Sequence, residues 1–148
     1  KPATITDPKM TRFSITMNEA LDFIFNAIKM GKGSEVFVPK LHAYNIVDVK
    51  NALTELLSDT GEKIIGIRTG EKLHETLINK DEIRYGWELE NMYMIANPLY
   101  ALFTDKNIKE SYQGIKKIED VQKYSSDTVE KIPIKDLKTI IKDAGLLN

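Results

Sequence analysis

The first half of this chain reads as α/β, because apolar residues at helical spacing alternate with short β-branched runs, and glycine or proline separates them. An α+β arrangement stays open for the isolated chain. Its 148 residues suffice for one domain with a core, or for part of a larger one. The reading is of one domain over 1–148, in which 1–80 form the α/β part, 81–132 an irregular part with short strands, and 133–148 a terminal helix.

Taken in order, Thr4 to Thr6 is β-prone, Asp7-Pro8 marks a turn and Arg12 to Ile15 is extended again, which suggests a bent strand or loose hairpin. Thr16-Met17-Asn18-Glu19 has capping-box spacing and predicts a helix from Met17 to Met30. Leu21, Ile24, Phe25 and Ile28 give that helix an apolar stripe, widened by Phe23, Ala27 and Met30, and the stripe is expected to be buried. Gly31 and Gly33 end it, and Glu35 to Val38 forms a strand closed by Pro39. Asn45 and Asp48 mark a second helix start, with Ile46, Val49, Leu53 and Leu56 facing inward. After Gly61 a buried strand is expected over Lys63 to Ile67, then a short helix over Lys72 to Ile78. Further on, Met92 to Ile95 reads as a strand, Pro98 as a break, and Pro98 to Lys109 as irregular or a short helix. Ser125 to Thr128 is a polar turn. Pro133 introduces a helix over Ile134 to Ala144, whose apolar face is Ile134, Leu137, Ile140, Ile141 and Ala144, and Gly145 stops it.

Composition removes several function classes. Twenty-one basic against 22 acidic residues give a net charge of -1, so no global field gathers nucleic acid. No apolar run approaches the ~20 residues needed to span a bilayer. The absence of cysteine excludes disulfides and thiolate sites, and agrees with a reducing, cytoplasmic setting. With only His42 and His74, no zinc site is expected. The start at Lys1, without an initiator Met, suggests a fragment or trimmed product.

The densest chemistry lies in Ile64 to Glu75. There a strand delivers Arg68 to a turn at Gly70, followed by Glu71 and Lys72. A guanidinium, backbone N–H groups and a carboxylate at one junction suit a phosphorylated, hydroxylated ligand. Arg68 alone reads more readily as a surface arginine, and Glu71 as a first-turn carboxylate; context favours a ligand. Arg12 reads either as a strand-edge cation or as the second charge a diphosphate needs, although spacing does not place it beside Arg68. His74 reads as a packed or ligand-adjacent side chain. No G-x-G-x-x-G, G-x-x-G-x-x-G or G-x-x-x-x-G-K-[ST] loop occurs. Tyr112 and Lys116 have Tyr-x-x-x-Lys spacing, but in an irregular setting that makes it accidental.

Four segments, Ile5 to Phe13, Glu35 to Lys40, Gly66 to Glu75 and Tyr124 to Thr128, come in an order and spacing that resemble a known family. They look like the C-terminal portion of inverting UDP-N-acetylglucosamine 4,6-dehydratases, CapD-like polysaccharide-biosynthesis enzymes among the extended short-chain dehydrogenases/reductases. The resemblance implies a parent lyase with NADP in an N-terminal Rossmann half that this chain lacks. It also implies oxidation at sugar C4, loss of water across C5 and C6, return of hydride to C6, and inversion at C5. By the same resemblance, Arg68 and Arg12 contact the diphosphate of a UDP-sugar and Glu71 the uridine ribose. This chain is then the substrate-binding part, not catalytic alone, with no catalytic, cofactor or metal residue of its own. Its implied partners are the Rossmann half and further copies in a homo-oligomer. Thr69 departs from the usual Pro and Ser14 from a common aromatic residue. Two other readings stay open: the same part of a UDP-sugar 4-epimerase, and a stand-alone α/β protein-interaction module.

Overall fold

The computed structural model describes residues 1–99, 107–119 and 122–145. Helices and strands alternate as the α/β reading requires, and they gather into two compact units interleaved along the chain. One unit is built from Lys1–Ser14, His42–Glu75 and the described residues after Ser125, the other from Ile15–Leu41 and Thr76–Ser125. Most of the expected stretch Pro98 to Lys109 lies outside the described residues.

In the first unit, β1 (Ala3–Ile5) runs parallel to β5 (Glu62–Ile64), with Ile5 opposite Ile64. β2 (Thr11–Ser14) runs antiparallel to β4 (His42–Asn45), with Arg12 opposite Tyr44. The expected hairpin between the first two strands therefore does not form: Asp7-Pro8 turns the chain, and each strand then pairs with a distant one. Helix α2 (Ile46–Leu56) starts after Asn45, whose amide donates to Asp48 at 2.7 Å and makes no side-chain bond to the helix backbone. Its inner face closes on the last helix of the unit, Ile134–Asp143. Ala52, Leu137 and Ile141 form that core, flanked by Tyr44, Val49, Leu53, Leu56, Ile132 and Ile134. Of the terminal helix's predicted face, Ile140 and Ala144 are exposed instead.

β5 is shorter than expected. Gly66, at φ +82°, takes the left-handed conformation that extended pairing cannot continue through. Ile64, Ile65 and Ile67 are also exposed rather than buried, and among the described residues β5 has β1 as its one strand neighbour. The helix expected over Lys72 to Ile78 is absent. Thr76–Ile78 is β6, paired in the second unit with β10 (Tyr124–Ser125). Leu73 and Leu77 imitate helical spacing, and cross-strand pairing of a β-branched segment overrides it.

The second unit holds α1 (Met17–Met30) with its full capping box: Glu19 N–H donates to the Thr16 hydroxyl, and Thr16 N–H to the Glu19 carboxylate. Its sheet is antiparallel in the order β3 (Val36–Pro39), β8 (Met92–Ile95), β7 (Gly86–Glu88), β9 (Lys116–Lys117). A 3₁₀ turn over Ile83–Tyr85 leads into β7, and the four-residue α3 (Ile108–Ser111) precedes β9. A Cβ on Gly86 would lie 2.7 Å from Ile118 Cδ1 and 2.8 Å from the Ile83 carbonyl, so only glycine fits there. Met94 and Ile78 are fully buried.

The stripe of α1 corrects the sequence reading. No residue of this helix is fully buried; Leu21, Ile24, Phe25 and Ile28 face outward, with Ile28 71% and Met17 74% exposed. Ala20, Phe23, Ala27 and Met30 are the half-buried side. Periodicity located an apolar face but not what covers it.

Tyr124 ties β10 to the β3–β4 connection. Its hydroxyl accepts Leu41 N–H at 2.6 Å and donates to the Leu41 carbonyl at 3.1 Å, while its ring meets Tyr93 edge-on at 4.9 Å. Burial raises both phenols above their usual value. Tyr112 is likewise structural. It is buried, its hydroxyl accepts Lys32 N–H at 3.0 Å, and its ring packs edge-on to Phe37.

Candidate functional site

The segment from Arg68 to Glu75 folds as a turn followed by an irregular run against β2. Glu71 N–H donates to the Arg68 carbonyl at 3.0 Å, and Gly70 sits at φ +83°, the conformation a glycine supplies at the third position of a type II turn. The Glu71 carboxylate closes the turn a second time by accepting Arg68 N–H at 3.2 Å. The turn thus forms with Thr69 in it. Arg68 itself is exposed, and among the described residues its guanidinium has no hydrogen bond or ion pair.

Arg12 comes to the same place from β2. Its Nη1 donates to the carbonyls of Thr11 and Leu73, at 2.8 and 3.2 Å, and its Nη2 to the carbonyl of Lys72 at 2.8 Å. Two carboxylates complete its surroundings, Glu71 at 3.7 Å and Glu75 at 3.6 Å. Arg12 and Glu71, unconnected by spacing, are therefore neighbours, and Glu71 also holds the backbone of Arg68. All three predicted site residues lie in one cluster. The two arginines differ in state: Arg12 is engaged on every side by protein acceptors, whereas the Arg68 guanidinium projects into solvent.

Beneath the charged layer is a polar one that the motifs contained but spacing did not reveal. The Thr11 hydroxyl lies 2.8 Å from His74 Nδ1 and 2.7 Å from the Ser126 hydroxyl. Ser126 Oγ accepts Glu75 N–H at 2.9 Å, Ser126 N–H donates to the Glu75 carbonyl at 2.8 Å, and Thr11 N–H donates to the Leu73 carbonyl at 3.1 Å. Thr11 and Ser126 are buried. Three separate segments are thus stitched together under Arg12 and Glu71 by short polar side chains. The signal in the sequence was the presence of Thr11, His74 and Ser126 inside three segments already singled out for other residues.

An arrangement of this kind offers a rigid turn, one projecting guanidinium and a carboxylate whose orientation is fixed by a second arginine. Planar, bidentate recognition of phosphate is what a guanidinium does best, and a carboxylate accepts from hydroxyl groups.

Comparison with known proteins bears out the resemblance. The chain is 38% identical over 129 residues to a UDP-N-acetylglucosamine 4,6-dehydratase (inverting) of Campylobacter jejuni, covering 86% of this chain and 38% of that protein. It is 29% identical over 143 residues to a UDP-glucose 4-epimerase of Rickettsia felis, covering 95% of this chain and 41% of that one. The crystal structure of Pen from Bacillus thuringiensis matches with a TM-score of 0.80 and 28% identity, over 99% of this chain and 41% of that one. The chain therefore spans about two fifths of the length of these relatives. A family model described as polysaccharide biosynthesis protein matches residues 1–97, and with the site's segments beginning and largely contained there, this chain belongs to that family.

Proposed function

We propose that this chain is the UDP-sugar-binding part of a UDP-N-acetylglucosamine 4,6-dehydratase (inverting), acting in sugar-nucleotide supply for surface polysaccharide or glycan. The observation that carries the reading is the Glu71 carboxylate joined to Arg12 on one side and to the Arg68 amide on the other. This pairing makes the Arg68 turn a clamp. Arg68 takes the diphosphate with charge-assisted hydrogen bonds, Arg12 braces the turn and adds positive charge, and Glu71 accepts from the ribose hydroxyls.

Chemistry at the sugar belongs, in this reading, to a Rossmann part of the protein outside residues 1–148. NADP is held there. No glycine-rich dinucleotide loop occurs in the sequence of residues 1–148. Its own share of the work is to seat and orient the nucleotide in the cytoplasm, in a protein that assembles as a homo-oligomer.

The similarity to UDP-glucose 4-epimerases over 95% of the chain supports a second reading, the same nucleotide clamp in a 4-epimerase. Titration of UDP and of UDP-N-acetylglucosamine, followed by calorimetry, tests the clamp common to both. Arg68→Ala should weaken binding about 10- to 100-fold, the loss expected when charge-assisted bonds of about 1.5–3 kcal/mol are removed. An unchanged dissociation constant would overturn the phosphate assignment. Absence of any UDP affinity in both this chain and the longer protein would favour a protein-interaction module.

A further inference from the structure

We infer that the buried hydrogen-bond chain under the arginine cluster runs in one direction only. It fixes His74 as the Nε2–H tautomer and makes His74 the positioning residue that holds the Arg68–Glu75 segment on β2. The argument is an inventory of protons. Ser126 is fully buried, and its Oγ has two described neighbours, the Glu75 amide and the Thr11 hydroxyl. The amide can only donate, so the Ser126 hydroxyl proton has Thr11 Oγ1 as its one described acceptor. Thr11, 4% exposed, is then an acceptor toward Ser126, and its own proton is left for His74 Nδ1 at 2.8 Å. Nδ1 must therefore carry the lone pair. In the neutral ring the proton sits on Nε2.

The opposite polarity fails on the same count. If Nδ1 carried a proton and donated to Thr11, one hydroxyl proton, that of Ser126 if Thr11 donates to it or that of Thr11 if it accepts from both, would have no acceptor among the described residues. Burying an unpaired donor loses its hydration with nothing in return. The one-way chain, from Glu75 N–H through Ser126 and Thr11 to His74, leaves no such orphan. It also explains why three segments carry small hydroxyl residues and one imidazole at their junction. Each passes on one proton, and the last member accepts without donating.

Positioning follows from where the chain is anchored. Glu75 and His74 belong to the segment whose Leu73 and Lys72 carbonyls receive Arg12, and whose turn carries Arg68 and Glu71. His74 fastens that segment to β2 through Thr11. The importance of this for ligand binding rests on the UDP-sugar reading above, while the tautomer does not.

Long-range proton–nitrogen correlation spectra of the chain identify which ring nitrogen of His74 is protonated. Nε2–H is expected, and Nδ1–H would overturn the inference. Ser126→Ala should keep the tautomer, because Thr11 then has His74 as its only described side-chain partner. Thr11→Val should release it, so that Nδ1–H becomes populated. The reverse pattern would refute the direction of the chain. His74→Asn places an amide oxygen near the Nδ1 position and should leave the Arg68 and Glu71 amide signals in place, with UDP affinity within about threefold of the parent. His74→Phe, which packs but cannot accept, should shift those signals and weaken UDP about tenfold. Equal behaviour of the Asn and Phe variants would defeat the positioning role. If the parent chain shows no UDP affinity, the nucleotide reading fails while the ring-nitrogen spectra and amide signals still decide this one.

Discussion

The Arg12 guanidinium lies 3.7 Å from the Glu71 carboxylate, while the other oxygen of that carboxylate accepts the Arg68 amide proton. One acidic side chain thus sets the geometry of a turn and the position of a cation from a different strand. Arg12 also bonds three carbonyls, so its removal takes a donor or a cation from five acceptor groups at once. Arg12→Ala should lower stability by about 1.5–3 kcal/mol in denaturant unfolding. Arg12→Lys should recover less than half of this, since a single ammonium cannot reach carbonyls and carboxylates in the fork geometry of a guanidinium. Full recovery by lysine would show that only the charge matters.

Gly70 stands at φ +83° with open space where a Cβ would be, so substitution there meets backbone strain and no clash. Gly70→Ala should destabilise by about 1–2 kcal/mol and weaken UDP, while Gly70→Asn, which tolerates the left-handed region better, should do less of both. Calorimetric titration beside thermal unfolding separates the two effects. Identical behaviour of the Ala and Asn variants would mean that the turn does not need this conformation.

The outward face of α1 should make the chain associate with itself. Met17, Leu21, Ile24, Phe25 and Ile28 lie exposed along one helix, which a solitary soluble surface seldom tolerates. Light scattering at rising concentration should show growth in mass, and the pair Phe25→Lys and Ile28→Lys should abolish it with little loss of stability. A monomeric parent chain at high concentration would count against this.

Alkaline conditions should weaken the second unit. Tyr93 and Tyr124 are held above their usual value of 10.0 chiefly by burial, so the unfolded chain loses these protons first as pH rises. Their stabilisation is complete below about pH 10 and fades as pH climbs through the raised folded values. Tyr124→Phe removes one ionisation together with the two Leu41 hydrogen bonds, so it should be less stable at neutral pH and fall less steeply above pH 10. A slope unchanged by the substitution would assign the alkaline transition to other groups.

How much of this could be read in advance depended on the range of the forces involved. The limits of α1, its capping box, β8 and the Ile134 helix follow from neighbours within four residues, and each emerged where local spacing put it. The strand at Thr76–Ile78 was hidden because its partner, Tyr124–Ser125, is far along the chain, while Glu71 and Lys72 after the Gly70 turn read as a helix start. Burial of the α1 stripe and of Ile64 to Ile67 was misjudged for a related reason: a periodic apolar face states that something should cover it, and not what. Arg68 and Glu71 were legible in the strand–turn junction and Arg12 as the second charge a diphosphate needs, and the resemblance assigned their contacts, but the meeting of Arg12 and the Arg68 amide on the Glu71 carboxylate is a property of the β2 pairing and of the Gly70 turn.

The interleaving of the two units sets an order on biosynthesis. All of the residues that make the second unit have been synthesised once Ser125 is added, whereas the first unit waits for Leu137 and Ile141 to cover Ala52. Strand β2, with Thr11 and Arg12, is made 115 residues before Ser126, and Thr11 must stay available until Ser126 arrives to bond it. The cluster of Arg12, Arg68 and Glu71 is therefore completed late among these residues, so a nascent chain stalled before Ser126 would carry all three charged side chains and lack the hydroxyl relay beneath them.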